Sequence, residues 1–341
     1  MRWLAATLGA LVSLVLSCAG GEGAAPRTAP RAFTEPPVTQ PVDAPTPRSP
    51  LVLVTIDGVR WQDVFAEGDV VARGAWPETD AWLRDEGAAV GAPGRGEIRA
   101  SGPHFVSLPG YAEILTGRAG QCADNDCKRV EHATLLEEVR DAGGKAALVS
   151  SWDRLGRIAT RASKHNDVIV SAGRHGDPGV SPFPGEGDFR PDRHTAEVGL
   201  ELLERERPDL LFLGLGEPDE YAHHGDRAGY ARSLRYADAV LGRLRRALSR
   251  MGPRGADTTV LVVADHGRSA GFNDHGGHAP ESARVWLLAF GARVTARGRV
   301  ASPRPRSLSD VAPTARELLG LTRTRSADGL TELFGADGAP R

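Results

Sequence analysis

Asp57, Asp219, His223, Asp265, His266 and His275 are the residues of this chain whose types and placing point to chemistry. Asp57 comes directly after an apolar run, in Thr55-Ile56-Asp57-Gly58-Val59-Arg60. Asp219 and His223 sit just past another, in Glu217-Pro218-Asp219-Glu220-Tyr221-Ala222-His223-His224. Asp265 and His266 end a third, in Val263-Ala264-Asp265-His266-Gly267, and His275 and His278 follow in Asn273-Asp274-His275-Gly276-Gly277-His278. Five of the ten histidines fall between positions 223 and 278. Taken singly, an Asp after a strand is commonly a helix cap or a turn residue, and a lone His a hydrogen-bonded structural one. Their coincidence says more. Three carboxylates converging on one rim repel, and desolvation makes each costlier, unless a cation neutralises them. Mixed Asp and His donors suit Zn²⁺ or Mn²⁺ better than the oxygen shells that Ca²⁺ and Mg²⁺ prefer. Six donors are too many for one tetrahedral ion, so two divalent ions with three protein ligands each fit better.

A nucleophile is available in Ala100-Ser101-Gly102-Pro103-His104-Phe105-Val106-Ser107-Leu108-Pro109-Gly110-Tyr111. Pro109 suits a first helical turn, which places Ser107 near the start of a helix ending at Gly117. A helix N-terminus favours anions, so a phosphate could sit there against Ser107. A helix cap is the other role open to Ser107.

The elements that must position these groups alternate. Leu51-Val52-Leu53-Val54-Thr55-Ile56 is a continuous β-rich run, as in a strand buried on both faces. The spacing predicts helices over 132–142, 196–207, 232–251 and 310–319, and strands over 146–150, 210–213, 260–263 and 285–290. Strands separated by helices of ten or more residues predict an α/β fold: a predominantly parallel central sheet with helices on both faces. Ligand groups in such sheets gather past the carboxyl ends of the strands. No internal repeat is present. A stretch near 171–193, rich in Gly, Pro and Asp, reads as a loop insertion.

The ends of the chain read differently. Of 341 residues, 41 are Gly and 24 Pro, and 42 basic against 44 acidic side chains leave a formal charge of -2. That balance excludes nucleic acid as a bulk electrostatic partner. Residues 1–18 read as an export signal: Met1-Arg2, an apolar run from Trp3 to Leu16, then Ser17-Cys18 before small residues. Fourteen residues span only about 21 Å as a helix, short of the roughly 30 Å hydrocarbon core. The ending resembles a bacterial lipobox, which makes Cys18 a lipidation site and anchors the exported protein to a membrane, facing periplasm or cell surface. Residues 19–49, crowded with Pro and Ala, read as a disordered tether, leaving 50–341 as one domain. Cys122 and Cys127 would suggest a metal or redox site in a cytosolic protein; after export they read as a loop disulfide.

Together these motifs resemble the alkaline phosphatase superfamily, in its type I phosphodiesterase/nucleotide pyrophosphatase and mutase-like branch. Asp57-Gly58-Val59-Arg60 is similar to the family's first metal aspartate, and Val106-Ser107-Leu108-Pro109-Gly110-Tyr111 to its nucleophile segment. Asp219-x-x-x-His223, Asp265-His266-Gly267 and His275-Gly276 ahead of Trp286 follow in the family's order. The resemblance implies one ion on Asp219, His223 and His275 and another on Asp57, Asp265 and His266, with Ser107 as nucleophile. His278 is the rival to His275, which the following Gly and the spacing to Trp286 favour. It further implies a metal-dependent hydrolase of phosphate esters acting on a small phosphorylated substrate through a phosphoseryl intermediate, with zinc as the first choice of metal and manganese the second. A phosphoryl-type transferase, a sulfatase-like esterase and a non-catalytic surface lipoprotein are the alternatives. Two departures bear on substrate. Gly110-Tyr111 stands where phosphodiesterases of the branch often carry Asn-His, and the sulfatase C/S-x-P-x-R motif lacks its Arg here.

Overall fold

The computed structural model describes residues 49–161, 167–173, 188–322 and 328–334. The signal at 1–18, nearly all of the tether at 19–49 and most of the loop insertion lie outside them.

Eleven strands follow one another along the described chain: β1 (Leu51–Ile56), β2 (Gly87–Val90), β3 (Ile98–Arg99), β4 (Ala146–Ser150), β5 (Val168–Ala172), β6 (Leu210–Leu215), β7 (Thr259–Val263), β8 (Arg284–Val285), β9 (Leu287–Gly291), β10 (Gly298–Arg299) and β11 (Arg306–Ser307). Eight of them form the central sheet in the order β10-β2-β9-β7-β1-β6-β4-β5. Its pairings are parallel except those of β9, which runs antiparallel to both β7 and β2. β3, β8 and β11 make a second, small sheet. Successive side chains of a strand point to opposite faces, and every residue of β1, β6 and β7 is buried, so both faces of the sheet are covered at its centre.

The α-helices are α1 (Trp61–Phe65), α2 (Pro77–Glu86), α3 (Ser107–Thr116), α4 (Leu135–Asp141), α5 (Asp192–Glu206), α6 (Glu217–His223), α7 (Arg227–Arg250), α8 (Pro253–Ala256) and α9 (Val311–Leu319). Their ends are locally encoded. Thr134 and Glu137 form a capping box on α4, the Asp226 side chain accepts from Gly229 N at 2.8 Å to start α7, and Gly117 ends α3 in the left-handed conformation. These contacts satisfy backbone groups that a helix end otherwise leaves unpaired.

Several boundaries differ from the sequence reading. The loop insertion is shorter than 171–193: β5 runs through Ala172, and α5 starts at Asp192, whose N–H donates to Glu217 Oε1 at 3.0 Å. The predicted strand over 285–290 is broken at Trp286, whose indole donates to Val59 O at 2.9 Å between β8 and β9. Among the described residues no helix is long and apolar enough to cross a membrane.

Candidate metal centre and nucleophile

β1 lies between β6 and β7, pairing in register with both, and the candidate ligands sit where these three neighbours end. The Asp57 N–H donates to Leu215 O at 2.9 Å, extending the ladder one step past β1. The chain leaving β6 turns at once into α6, which carries Asp219 and His223 one helical turn apart on one face. Asp265 and His266 follow β7 by two and three residues, and His275 comes from the long loop that leads to β8.

Two groups of donors result. The His266 Nε2 atom lies 3.3 Å from Asp57 Oδ1 and 3.4 Å from Asp265 Oδ2. The Asp219 Oδ2 atom lies 3.0 Å from His223 Nε2 and 3.5 Å from His275 Nε2, and the two histidine Nε2 atoms are 2.9 Å apart. His266 also falls within reach of Asp219 and His275, so it borders both groups. His278 is elsewhere: it is exposed, and its Nε2 meets Asp274 Oδ2 at 2.9 Å. His224 lies at the rim of the cavity beside the centre.

Other atoms of the same side chains are held by the protein, which aims the remaining atom inward. His275 Nδ1 is 3.0 Å from Phe105 O and His266 Nδ1 is 2.8 Å from Gly267 O; a ring nitrogen committed to a carbonyl leaves the other free as a ligand. Tyr111 donates its hydroxyl to Asp57 Oδ2 at 2.9 Å. Asp265 Oδ1 accepts from Gly58 N at 3.2 Å, while its buried Oδ2 makes no hydrogen bond among the described residues and has only the charge of His266, with Nε2 at 3.4 Å, set against it there. A buried carboxylate oxygen without a donor is costly, and a cation on that oxygen removes the cost.

The electrostatics point the same way. Burial, and then the charge of Asp57, push the Asp265 carboxyl well above the carboxylate range. Burial alone would lower His266, but the charges of Asp265, Asp219 and Asp57 and a hydrogen bond to Asp57 hold it up at about 10. Without a metal the centre holds protons where cations belong. The donor set therefore fits a divalent-metal centre.

Ser107 is the first residue of α3, and the cap position belongs to Val106. Its hydroxyl is not a cap. It faces the centre, with Oγ 3.4 Å from Asp57 Oδ1 and 3.3 Å from His266 Nε2. The next N–H of the helix, at Leu108, donates to Asn125 Oδ1 at 2.9 Å. Asn125 lies inside the loop closed by the Cys122–Cys127 disulfide. Gly110 explains one departure noted above: a Cβ there would run into the Asp265 carbonyl, so α3 can approach the end of β7 this closely only with glycine. Gly58, at φ +62°, is similarly confined against Asp219. A cavity of about 520 Å³ opens beside Ser107, walled by Trp152, Arg154, Phe189 and Glu220.

Residues 187–323 match the family model described as the Metalloenzyme superfamily. In structure, a protein of the alkaline phosphatase superfamily from Vibrio parahaemolyticus is similar at a TM-score of 0.56, with 16% identity, over 82% of this chain and 71% of that one. The chain has the alkaline phosphatase superfamily fold. A phosphonate monoester hydrolase from Silicibacter pomeroyi shares this fold at a TM-score of 0.57 and 15% identity, over 83% of this chain and 75% of that one. Among curated proteins, the 2,3-bisphosphoglycerate-independent phosphoglycerate mutase of Desulforudis audaxviator (strain MP104C) is 34% identical over 151 residues, 43% of this chain and 28% of the mutase. The chain spans about a third of the length of the curated relatives it matches. The superfamily resemblance drawn from the motifs thus holds.

Three residues around the centre were not read from the sequence as part of it. Tyr111 carried a signal, since it stands four residues after Ser107 and so on the same helical face. Asn125 and Arg268 carried none; only the folded chain brings them to the site.

Proposed function

We propose that this protein is a phosphoryl-transfer metalloenzyme that hydrolyses phosphate esters, with Ser107 as nucleophile. The observation that carries the reading is Ser107 Oγ, at a helix N-terminus and within 3.4 Å of Asp57 Oδ1 and 3.3 Å of His266 Nε2. Asp57, Asp265 and His266 would hold one divalent ion, and Asp219, His223 and His275 the other, zinc being the first choice and manganese the second. When bound, such ions supply Lewis-acid chemistry, lowering the pKa of a coordinated hydroxyl or water and neutralising phosphoryl oxygens.

The chain's own groups do the rest. The N-terminus of α3 favours an anion beside Ser107. Ser107 gives up its proton to solvent, and its oxygen bonds to phosphorus as the ester oxygen departs and takes a proton from water. Water then hydrolyses the phosphoseryl intermediate and restores the hydroxyl. Trp152, Phe189 and Arg154 border the space available to the rest of the substrate.

The mutase relatives favour a second reading, in which the phosphoryl group passes from Ser107 to an alcohol instead of water. Chromogenic phosphate monoester, phosphodiester and sulfate ester substrates, tested in parallel with zinc and with manganese, separate the ester classes; product analysis with a competing alcohol separates hydrolysis from transfer. Ser107→Ala should lower turnover at least about a thousandfold while the metal content stays at two ions per chain. Full turnover in that variant would sink the nucleophile assignment. The signal-like start and Cys18 support export and a lipid anchor as part of the same proposal, tested by radiolabelled fatty-acid incorporation into the wild type and Cys18→Ala.

A further inference from the structure

Arg268 stands two residues after His266 in Asp265-His266-Gly267-Arg268. Its side chain is completely enclosed, at 0% exposure. Each of its three nitrogens has a partner: Nη1 donates to Asp219 Oδ1, Nε to Phe272 O at 2.6 Å, and Nη2 to Asn273 O at 2.9 Å. One planar group thus ties the carboxylate on α6 to the loop that delivers His275.

That loop needs holding. Phe272 sits at φ +77°, a left-handed conformation that an aromatic residue keeps only when its surroundings impose it. Arg268 grips the carbonyl of this same residue, and the loop is closed by Ser269 N donating to Asp274 O at 2.8 Å. His275 is the next residue. On the other side, Arg268 occupies Asp219 Oδ1 and leaves Oδ2 as the oxygen that faces His223 and His275.

We infer that Arg268 is the positioning residue of the Asp219, His223 and His275 site, fixing both which Asp219 oxygen is presented and where His275 stands. The inference rests on the two-ion reading of the centre. It also ranks the sites. The Asp57, Asp265 and His266 site has two carboxylates; the other has one, already shared with a buried guanidinium, and is the weaker. Two effects of Arg268 oppose each other there: its charge repels an incoming cation, while its fork holds the ligands in place. A fork that bonds three acceptors from two elements is worth more than the charge it brings, because misplaced donors cost affinity at any charge.

Stepwise zinc titration of the full, metal-stripped chain by calorimetry tests this, with thermal melting of each metal-free variant as a folding control. The wild type should bind two zinc ions in unequal steps. Arg268→Met should leave the tighter step unchanged and weaken the second at least about tenfold. Arg268→Lys keeps the buried charge but cannot bridge the same acceptors, and should recover part of the loss. A second step that is unchanged or tighter in Arg268→Met would overturn the inference, as would a Lys variant indistinguishable from wild type, since charge alone would then suffice. Should Arg268→Met not fold, the Lys variant decides. Wild-type protein that binds fewer than two zinc ions overturns the two-ion reading itself.

Discussion

His266 is the residue on which the two ligand groups meet, and its ionisation carries a consequence for the metal-free protein. It is held up at about 10 by the surrounding carboxylates against the burial that would lower it, and Asp265 is raised by burial and by Asp57. A group whose pKa is higher folded than unfolded contributes stability that is complete below its unfolded value and is lost as pH rises through its folded value. For His266 that window runs from about 6.5 to about 10, and Asp265 acts in the same sense from lower pH. His223, raised chiefly by its hydrogen bond to Asp219, adds to the loss. His275 is lowered by burial and by His266, so its contribution falls below this window. The metal-stripped protein should therefore lose melting temperature as pH rises from 6.5 to 10, by about 5 °C or more. Bound cations need His266 neutral and Asp265 ionised, so zinc should flatten or reverse that slope. Thermal melts across the window, with and without zinc, check it; identical slopes would show that the centre does not exchange protons for metal.

At the scale of elements, the site is an encounter between α3 and the ends of β1, β6 and β7, and Gly110 is where α3 comes up against the backbone that follows β7. A methyl group at 110 would meet the Asp265 carbonyl, and neither a helix nor a central strand yields easily. Gly110→Ala should push α3 outward, cost about 1 to 3 kcal/mol of stability, and lower kcat at least about tenfold by moving Ser107 off the centre. Denaturant unfolding and steady-state kinetics on the same preparation read both effects, and an unaffected kcat would show that α3 can shift without harm. Much of this arrangement was legible in the chain. Continuous apolar runs marked β1, β6 and β7, and an Asp within four residues past each gave the candidate ligands, because parallel strands deliver their ends to one rim. Other features left no such mark. Gly87-Ala88-Ala89-Val90 is too short and too small to announce β2, and the run that forms β9 gives no sign that it is antiparallel. Arg268 acts through a contact made only on folding, with a carboxylate 49 positions away; Tyr111 shares a helical face with Ser107, but its carboxylate partner is 54 positions away.

For the molecule as a whole, the centre joins stretches far apart in sequence: the turn after β1, the start of α3, α6, the end of β7 and the loop carrying His275. Cations bound there would add bridges to the contacts these stretches already make, such as Tyr111 with Asp57 and Arg268 with Asp219. Metal that binds the folded chain and not the unfolded one stabilises it by RT ln(1 + [L]/Kd), about 2.7 kcal/mol per site at a free concentration one hundred times Kd. Stripping with a chelator should therefore lower the melting temperature by roughly 5 °C or more, and zinc added in excess of the chelator should restore it. Ser107 is not among the six proposed ligands, so Ser107→Ala should show the same chelator-induced shift as wild type while losing turnover. This pairing separates stabilisation by metal from catalysis by serine. If the chelator leaves the melting temperature where it was, the crowded carboxylates of Asp57, Asp219 and Asp265 must be neutralised by the protons of His266 and its neighbours and by Arg268, and the centre would then be a buried ion-pair network of this fold.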